Sequence, residues 1–519
     1  MDTGLTISNR PPHRDYPQTA FPLKSIAAAV ALMLSSGAYA ADWTIVPSVG
    51  VSETYTDNVN LAPKPLAKSD YVTEIMPSIS FVENGPYVKA NVNYAMQEID
   101  YAENHAAAQF LNQLQAGAKV ELIQDLFFID STASVSQQNI SALGAQPTNN
   151  IYATNNRTTV RTYNISPYLT HAFDAFATSE LRYAFASTSA DSGGLSTVNS
   201  DTVSFNVNSG PAFRILGWGL QYSDQITHYQ NEADVGMETV SGNLSYLIAP
   251  EFKLTATAGY DDNNYASLGG STKGAYWTTG FDWTVSPRTS VVASAGHRYY
   301  GNTFSLVAAT RSRTSIWNLS YNESVTSAQS QFGLPPTIDT ANYLNQLLSG
   351  TISDATQRLQ AVNNIIQQTG LPRSLASSVN YFTNSVFLQK QLQASVALHS
   401  PKTTLVVSVF DTQRDPLSAQ QDIDIVLGND KTNQFGGSAV LSRRLSEHTS
   451  ATVTLLASRV DDQTAGRIDR NQALKFGLTK QFSRKLSGTV ELRRDQFESS
   501  QAGIGYRENA IATFLNFQL

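Results

Sequence analysis

Cysteine is absent from all 519 residues, which removes disulfides, thiol chemistry and Cys-ligated zinc at once. That suits an exported chain that must cross an oxidising compartment before it folds. Long apolar runs are missing too. Beyond residue 40 no stretch approaches the roughly 20 apolar residues that a membrane helix needs. Charge is sparse: Asp, Glu, Lys and Arg make up 15% of the chain, against roughly 25% in soluble domains. Ser, Thr, Asn and Gln take up the difference. There is no phosphate loop, dinucleotide fingerprint or nucleophile elbow, and the Gly-rich stretch 269–274 reads as a loop, so nucleotide binding is not expected. The seven histidines are scattered without metal-ligand spacing, His171, His399 and His448 lying beside short turns. His448 and Ser450 share one face of a strand, as a membrane-embedded lipase would require, but at a short turn on the wrong side. No catalytic residue, cofactor or metal is expected, and no nucleic-acid partner.

What is present is one pattern repeated from Trp43 to Leu519. Stretches of about ten residues alternate apolar with small polar side chains, separated in turn by short and long connections, as in a transmembrane β-barrel. In the first stretch Trp43, Ile45, Pro47, Val49 and Val51 share one face, while Thr44, Ser48, Gly50, Ser52 and Thr54 share the other. Lipid meets the first face and water the second.

The N-terminus carries Arg10, Arg14 and Lys24, then an apolar run from Ile26 to Leu34, then Ala38-Tyr39-Ala40. That order reads as a cleaved secretory signal over 1–40, leaving 41–519 as an outer-membrane barrel of a Gram-negative bacterium. Short turn-forming connections fall at 83–86, 123–126, 172–177, 216–217, 249–251, 286–288, 400–402, 446–448 and 483–485 and should face the periplasm. Longer polar segments at 56–70, 139–157, 190–200, 229–236 and 415–433 should face outside. Treating Thr303 to Thr310 as its own strand, turning at Arg311-Ser312-Arg313, makes the count even: about 22, within about 18 to 24. Pro77, Pro167 and Pro211 each precede a short turn, so bulges are expected along the periplasmic rim, the alternative being ordinary strand-start prolines. The last strand, with Ile511, Leu515, Phe517 and Leu519 on one parity, is similar to the terminal signal read by barrel-assembly machinery.

One connection, 327–384, has helical rather than strand periodicity and reads as a small insert. Asp354 with Gln357 can form a capping box, Leu359, Val362, Ile365 and Ile366 make an apolar stripe, and Gly370 followed by Pro372 stops the helix. A 22-stranded wall encloses a lumen that natural proteins usually plug. The insert is therefore expected to act as a lid, the alternative being a surface domain contacting lipopolysaccharide or a partner. Parity points Glu74, Asp130, Glu180, Arg182, Asp282, Arg298, Lys475, Glu491 and Arg493 into the lumen, where they either meet a passing solute or stand as solvated wall residues. Residues 41–260 hold 21 acids and 9 bases, and 261–519 hold 19 acids and 23 bases, so opposing walls would set up a transverse field. Asp415, Asp422, Asp424 and Asp430 offer calcium-type oxygens in one loop, at a spacing that solvated acids explain as well.

The opening segment, Trp43-Thr44-Ile45-Val46-Pro47-Ser48-Val49-Gly50-Val51-Ser52-Glu53-Thr54-Tyr55-Thr56-Asp57-Asn58-Val59-Asn60-Leu61-Ala62-Pro63, resembles the start of the PEP-CTERM system-associated outer-membrane β-barrel proteins. Arg311-Ser312-Arg313-Thr314-Ser315-Ile316-Trp317-Asn318-Leu319-Ser320-Tyr321-Asn322-Glu323 and Val386-Phe387-Leu388-Gln389-Lys390 resemble the same family. The resemblance implies a role in making, exporting or retaining extracellular matrix, and brings no catalytic site. Two functions follow as expectations: a conduit (porin or exporter) for a polysaccharide or other bulky polar solute, or a non-conducting scaffold anchoring matrix or a surface protein. Partners would be membrane lipid, lipopolysaccharide, the assembly machinery, polysaccharide and periplasmic export components. A TonB-dependent importer would share the strand number, but strand one begins within a few residues of the cleavage site and leaves no room for a plug; an autotransporter fails likewise.

Overall fold

The computed structural model describes residues 43–103, 107–147, 149–191, 197–230, 233–327, 385–418 and 431–519. The signal segment, the insert with Leu359, Val362, Ile365 and Ile366, and the loop acids Asp422, Asp424 and Asp430 lie outside the described residues. Asp415 is described, and pairs with Lys431 at 2.9 Å.

Twenty-two strands follow one another. The first are β1 (Trp43–Thr56), β2 (Asp70–Asn84), β3 (Val88–Tyr101), β4 (Gln109–Ile123), β5 (Phe127–Asn139), β6 (Arg157–Phe173) and β7 (Ala177–Ala190). Next come β8 (Val198–Ser209), β9 (Leu216–Tyr229), β10 (Val235–Ala249), β11 (Phe252–Asn263), β12 (Lys273–Ser286), β13 (Thr289–Arg298), β14 (Gly301–Arg311) and β15 (Ser315–Thr326). The last are β16 (Phe387–His399), β17 (Thr403–Pro416), β18 (Thr432–Arg444), β19 (Thr449–Asp462), β20 (Arg467–Gln481), β21 (Leu486–Ser499) and β22 (Tyr506–Gln518). Each pairs antiparallel with the next, and β22 returns to β1 from Ser48↔Gln518 to Thr56↔Ala510. The barrel is closed, so no strand edge is left unpaired in lipid.

Alternation along each strand decides the two faces. Tyr55, Tyr71, Ile75, Leu181, Phe205, Leu492 and Ile511 are exposed on the outside, while Ser52, Thr54, Glu74 and Thr56 are buried on the inside. One rim carries ten connections of two to six residues; the other carries all the longer ones, together with short links such as 299–300 and 463–466. Asp125 and Asp174 take left-handed conformations (φ 56° and 48°) in two of the tight turns, which Asp tolerates better than branched residues do.

One expectation is corrected at the short-turn rim, and the expected bulges fall there but away from the prolines. The turn placed at 216–217 lies instead at 210–215, with Leu216 opening β9. Phe176, Phe213 and Trp218 pack there as a cluster with centroids 5.3–5.9 Å apart, and Gly210 N donates to Phe176 O at 2.6 Å, which seats the longer turn. Bulges do occur on this rim, at Glu121/Ile123, Leu247/Ala249 and Trp283/Ser286, but none at a proline. Pro77 and Pro167 each keep their partner on one side, Val49 and Ile129, and leave a gap on the other without shifting register. A missing N–H deletes one ladder bond; it does not add a residue.

Lipid exposure of the outer face is directly testable. Leu181 lies opposite Leu169 and Phe205 on the outside, whereas Asn206 lies opposite Glu180 on the inside. Leu181→Arg should destabilise the vesicle-embedded barrel by about 2–4 kcal/mol, and Asn206→Arg should change it little, as read by urea unfolding.

Candidate functional site

Backbone connectivity sends the 140–156 loop from β5 to β6 at the long-loop rim, where the sequence suggests an external polar segment. It turns inward instead. A single side chain shapes its first arm: Asn156 Nδ2 donates to Ser141 O (3.1 Å) and Ala145 O (3.0 Å), while Asn156 Oδ1 accepts from Ser141 N (2.9 Å). Gly144, at φ 98°, then presents its N–H to Asp469 Oδ2 on β20 (2.8 Å), a left-handed position that favours glycine. Ala142 and Leu143 pack with Val460 of β19. Gln146 stands with Phe410, Gln434 and Tyr506 around a cavity of about 170 Å³, so the loop reaches the β17–β22 wall.

The second arm returns along β1–β3. Ile151 and Tyr152 join Val59, Leu61, Val72, Ile99, Tyr101, Phe497 and Tyr506 in an apolar cluster. Tyr101 Oη donates to Ile151 O at 2.9 Å, and Ala153 N donates to Val59 O at 3.2 Å. Tyr152 Oη donates to Glu508 Oε1 (2.8 Å), which also accepts from Thr56 Oγ1 (2.8 Å) and faces Arg493 (3.5 Å). Burial pushes the Tyr152 phenol well above its ordinary pKa, so it stays a donor to that carboxylate. Another long-rim loop leans over the mouth as well, Leu268 N donating to Leu417 O at 2.9 Å.

Between the crossing loop and β2–β5 lies a cleft of about 400 Å³, lined by Glu74, Met76, Gln97, Gln113, Ser136, Gln137, Asn149, Asn150, Arg157 and Phe514. Five of the ten are amides. Ser52 Oγ donates to Glu74 Oε2 (2.5 Å) and Gln97 Nε2 donates to Glu74 Oε1, while Gln97 Oε1 accepts from Asn150 (2.7 Å) and Gln113 (3.2 Å).

Strand register puts all nine wall residues named from parity on the inner face, but in separate places. Glu74 lies in the cleft. Arg182 bridges Asp130 (3.1 Å) and Glu180 (2.8 Å), donates to Ser166 (2.9 Å) and covers the Tyr168 ring at 3.8 Å. Asp282 pairs with Lys253 (3.2 Å), and Arg298 with Asp261 (3.2 Å) over the Tyr276 ring. Lys475 lies opposite Arg493, and Arg493 meets Glu491 at 3.4 Å. The transverse field is not found on these walls, because inner carboxylates and cations neutralise each other locally. The imbalance between the two halves sits largely on the outer face: Asp201, Asp224 and Glu238 in the first half, Arg443, Arg459, Arg470, Arg494 and Arg507 in the second, all of outward parity.

The crossing loop and its amides were not singled out from sequence. The signal was there: an apolar Ile151-Tyr152 pair inside a supposedly solvated loop. Among the described residues no group of three His, Cys, Asp or Glu is placed to hold a metal.

No family model matches the chain. No curated protein matches it either. Solved structures similar to it include the ferric enterobactin receptor PfeA of Pseudomonas aeruginosa in complex with enterobactin, at 10% identity and TM-score 0.45, covering 91% of this chain and 81% of that one. The siderophore receptor PirA of Acinetobacter baumannii is similar at 7% identity and TM-score 0.46, covering 92% and 80%. The FrpB iron transporter of Neisseria meningitidis is similar at 10% identity and TM-score 0.45, covering 91% and 81%.

Asn156→Ala removes the clip of the first arm, each lost bond being worth about 1 kcal/mol. Hydrogen exchange should rise at the Ser141 amide and its neighbours and stay unchanged in β7–β14. Equal protection in both proteins would show that Asn156 does not hold the loop.

Proposed function

We propose that this protein is an outer-membrane conduit for a polysaccharide or other bulky polar solute, narrowed by the 140–156 loop. The observation that carries it is the amide-lined cleft of about 400 Å³ between that loop and β2–β5. A conduit needs sites that are polar, numerous and individually weak, so that solute enters and leaves. Gln and Asn side chains meet that need better than fixed charges, since they exchange hydrogen bonds with hydroxyl groups at small net cost. The apolar outer face and closed ladder suit residence in an outer membrane, with lipid and lipopolysaccharide as surroundings. The resemblance of residues 43–63 to PEP-CTERM-associated barrel proteins supports a place in extracellular-matrix export, with no chemistry performed by the barrel itself.

The test is conductance in planar bilayers. The full-length barrel is compared with one whose residues 142–155 are replaced by a short Gly-Ser linker, and with another whose residues 328–384 are replaced. The first replacement should raise conductance severalfold. Unchanged conductance would remove the crossing loop as the constriction. Silence in all three, with the barrel shown to be folded, would reject the conduit in favour of a surface scaffold.

A further inference from the structure

We propose that the cleft beside the crossing loop is a subsite for an anionic glycan, taking sugar hydroxyls on its amides and a uronic-acid carboxylate on Arg157; this rests on the conduit reading above. Glu74 sets the polarity of the whole site. Both its oxygens are engaged, one by Ser52 and one by Gln97, which turns the Gln97 oxygen toward Gln113 Nε2 and Asn150 Nδ2. Gln113 and Asn150 both line the cleft, and among the described residues neither Gln113 Oε1 nor Asn150 Oδ1 has a protein donor. Asn149 Oδ1 accepts from Ile151 N (3.3 Å), which leaves its NH₂ group as a donor. Acceptors and donors side by side are what vicinal hydroxyls satisfy, because each hydroxyl both gives and takes a hydrogen bond. The ring of Phe514 offers an apolar surface for the C–H face of a sugar.

Arg157 adds the charge preference. Its Nη1 donates to the Asn149 carbonyl, its Nε has no partner, and among the described residues no carboxylate pairs with it. The one acid lining the cleft, Glu74, is 3% exposed with Ser52 and Gln97 on its two oxygens, and it makes no ion pair with Arg157. A guanidinium held beside amides without an anion fits a carboxylate, which the Nη protons not engaged by Asn149 can meet. The volume suits one or two sugar units of a longer polymer.

Isothermal titration of the detergent-solubilised full chain with trigalacturonate and with maltotriose tests this. The acidic trisaccharide should bind at least about tenfold more tightly, the margin of one charge-assisted hydrogen bond. Arg157→Gln should erase that preference, Arg157→Lys should keep most of it, and Gln113→Leu should weaken both ligands, circular dichroism confirming that each variant is folded. Equal affinity for the two sugars, no binding of either, or an undiminished preference in Arg157→Gln would overturn the proposal. Open conductance without sugar binding rejects the subsite and leaves the conduit standing. Selective binding by a barrel that is silent in bilayers supports the subsite and rejects the conduit.

Discussion

In lipid every backbone N–H and C=O must find its partner within the protein, and this one constraint organises the molecule. Only closure of β22 onto β1 satisfies it. Val51↔Leu515 and Tyr55↔Ile511 put apolar side chains on the outside of that seam, and the same register forces Ser52 and Thr54 inward. At the long-loop end the seam is stitched further: Asp57 accepts from the Asn509 backbone (2.7 Å) and side chain (2.8 Å). With strands held this rigidly, variation in shape is left to the connections.

The loops spend that freedom on an unusual feature, an apolar cluster inside a polar barrel. Val59, Leu61, Ile151 and Tyr152 come from two loops and meet Val72, Ile99, Tyr101, Phe497 and Tyr506 on the wall. Burying them drives the 140–156 loop inward, while Asp469 and Glu508 fix where it lands. The Asp57-Asn58-Val59-Asn60-Leu61 run thus has a mechanical task. Asn58 closes its own turn by accepting from Ala62 N (2.9 Å) and ties it to Arg507 O (3.0 Å), and Val59 with Leu61 supports the crossing loop. A motif of this kind positions the crossing loop through packing alone.

Charge follows the same logic of local satisfaction. Arg182 with Asp130 and Glu180, Arg298 with Asp261, and Arg493 with Glu491 and Glu508 each pair within one or two strands. Partly buried ions are costly unless paired, so an inner wall built this way presents short-range dipoles rather than a field across the pore. Arg157 departs from that pattern, and it stands where the crossing loop leaves room.

Period-two alternation pointed, from the sequence alone, to a closed barrel of about 22 strands, within about 18 to 24, and to the inward parity of residues such as Glu74 and Arg493, because lipid on one side and water on the other leave one register for each strand. Turn chemistry located most of the short rim, failing at 210–215 where an aromatic cluster rather than a turn residue decides the path. The crossing loop belonged to tertiary structure alone. Its anchors, Gly144 to Asp469 and Tyr152 to Glu508, are more than 300 residues apart in sequence, and no local pattern encodes a contact of that separation. The amides of the cleft acquired meaning in the same way, since Gln97, Gln113 and Asn150 are unremarkable polar residues until the fold sets them around one space.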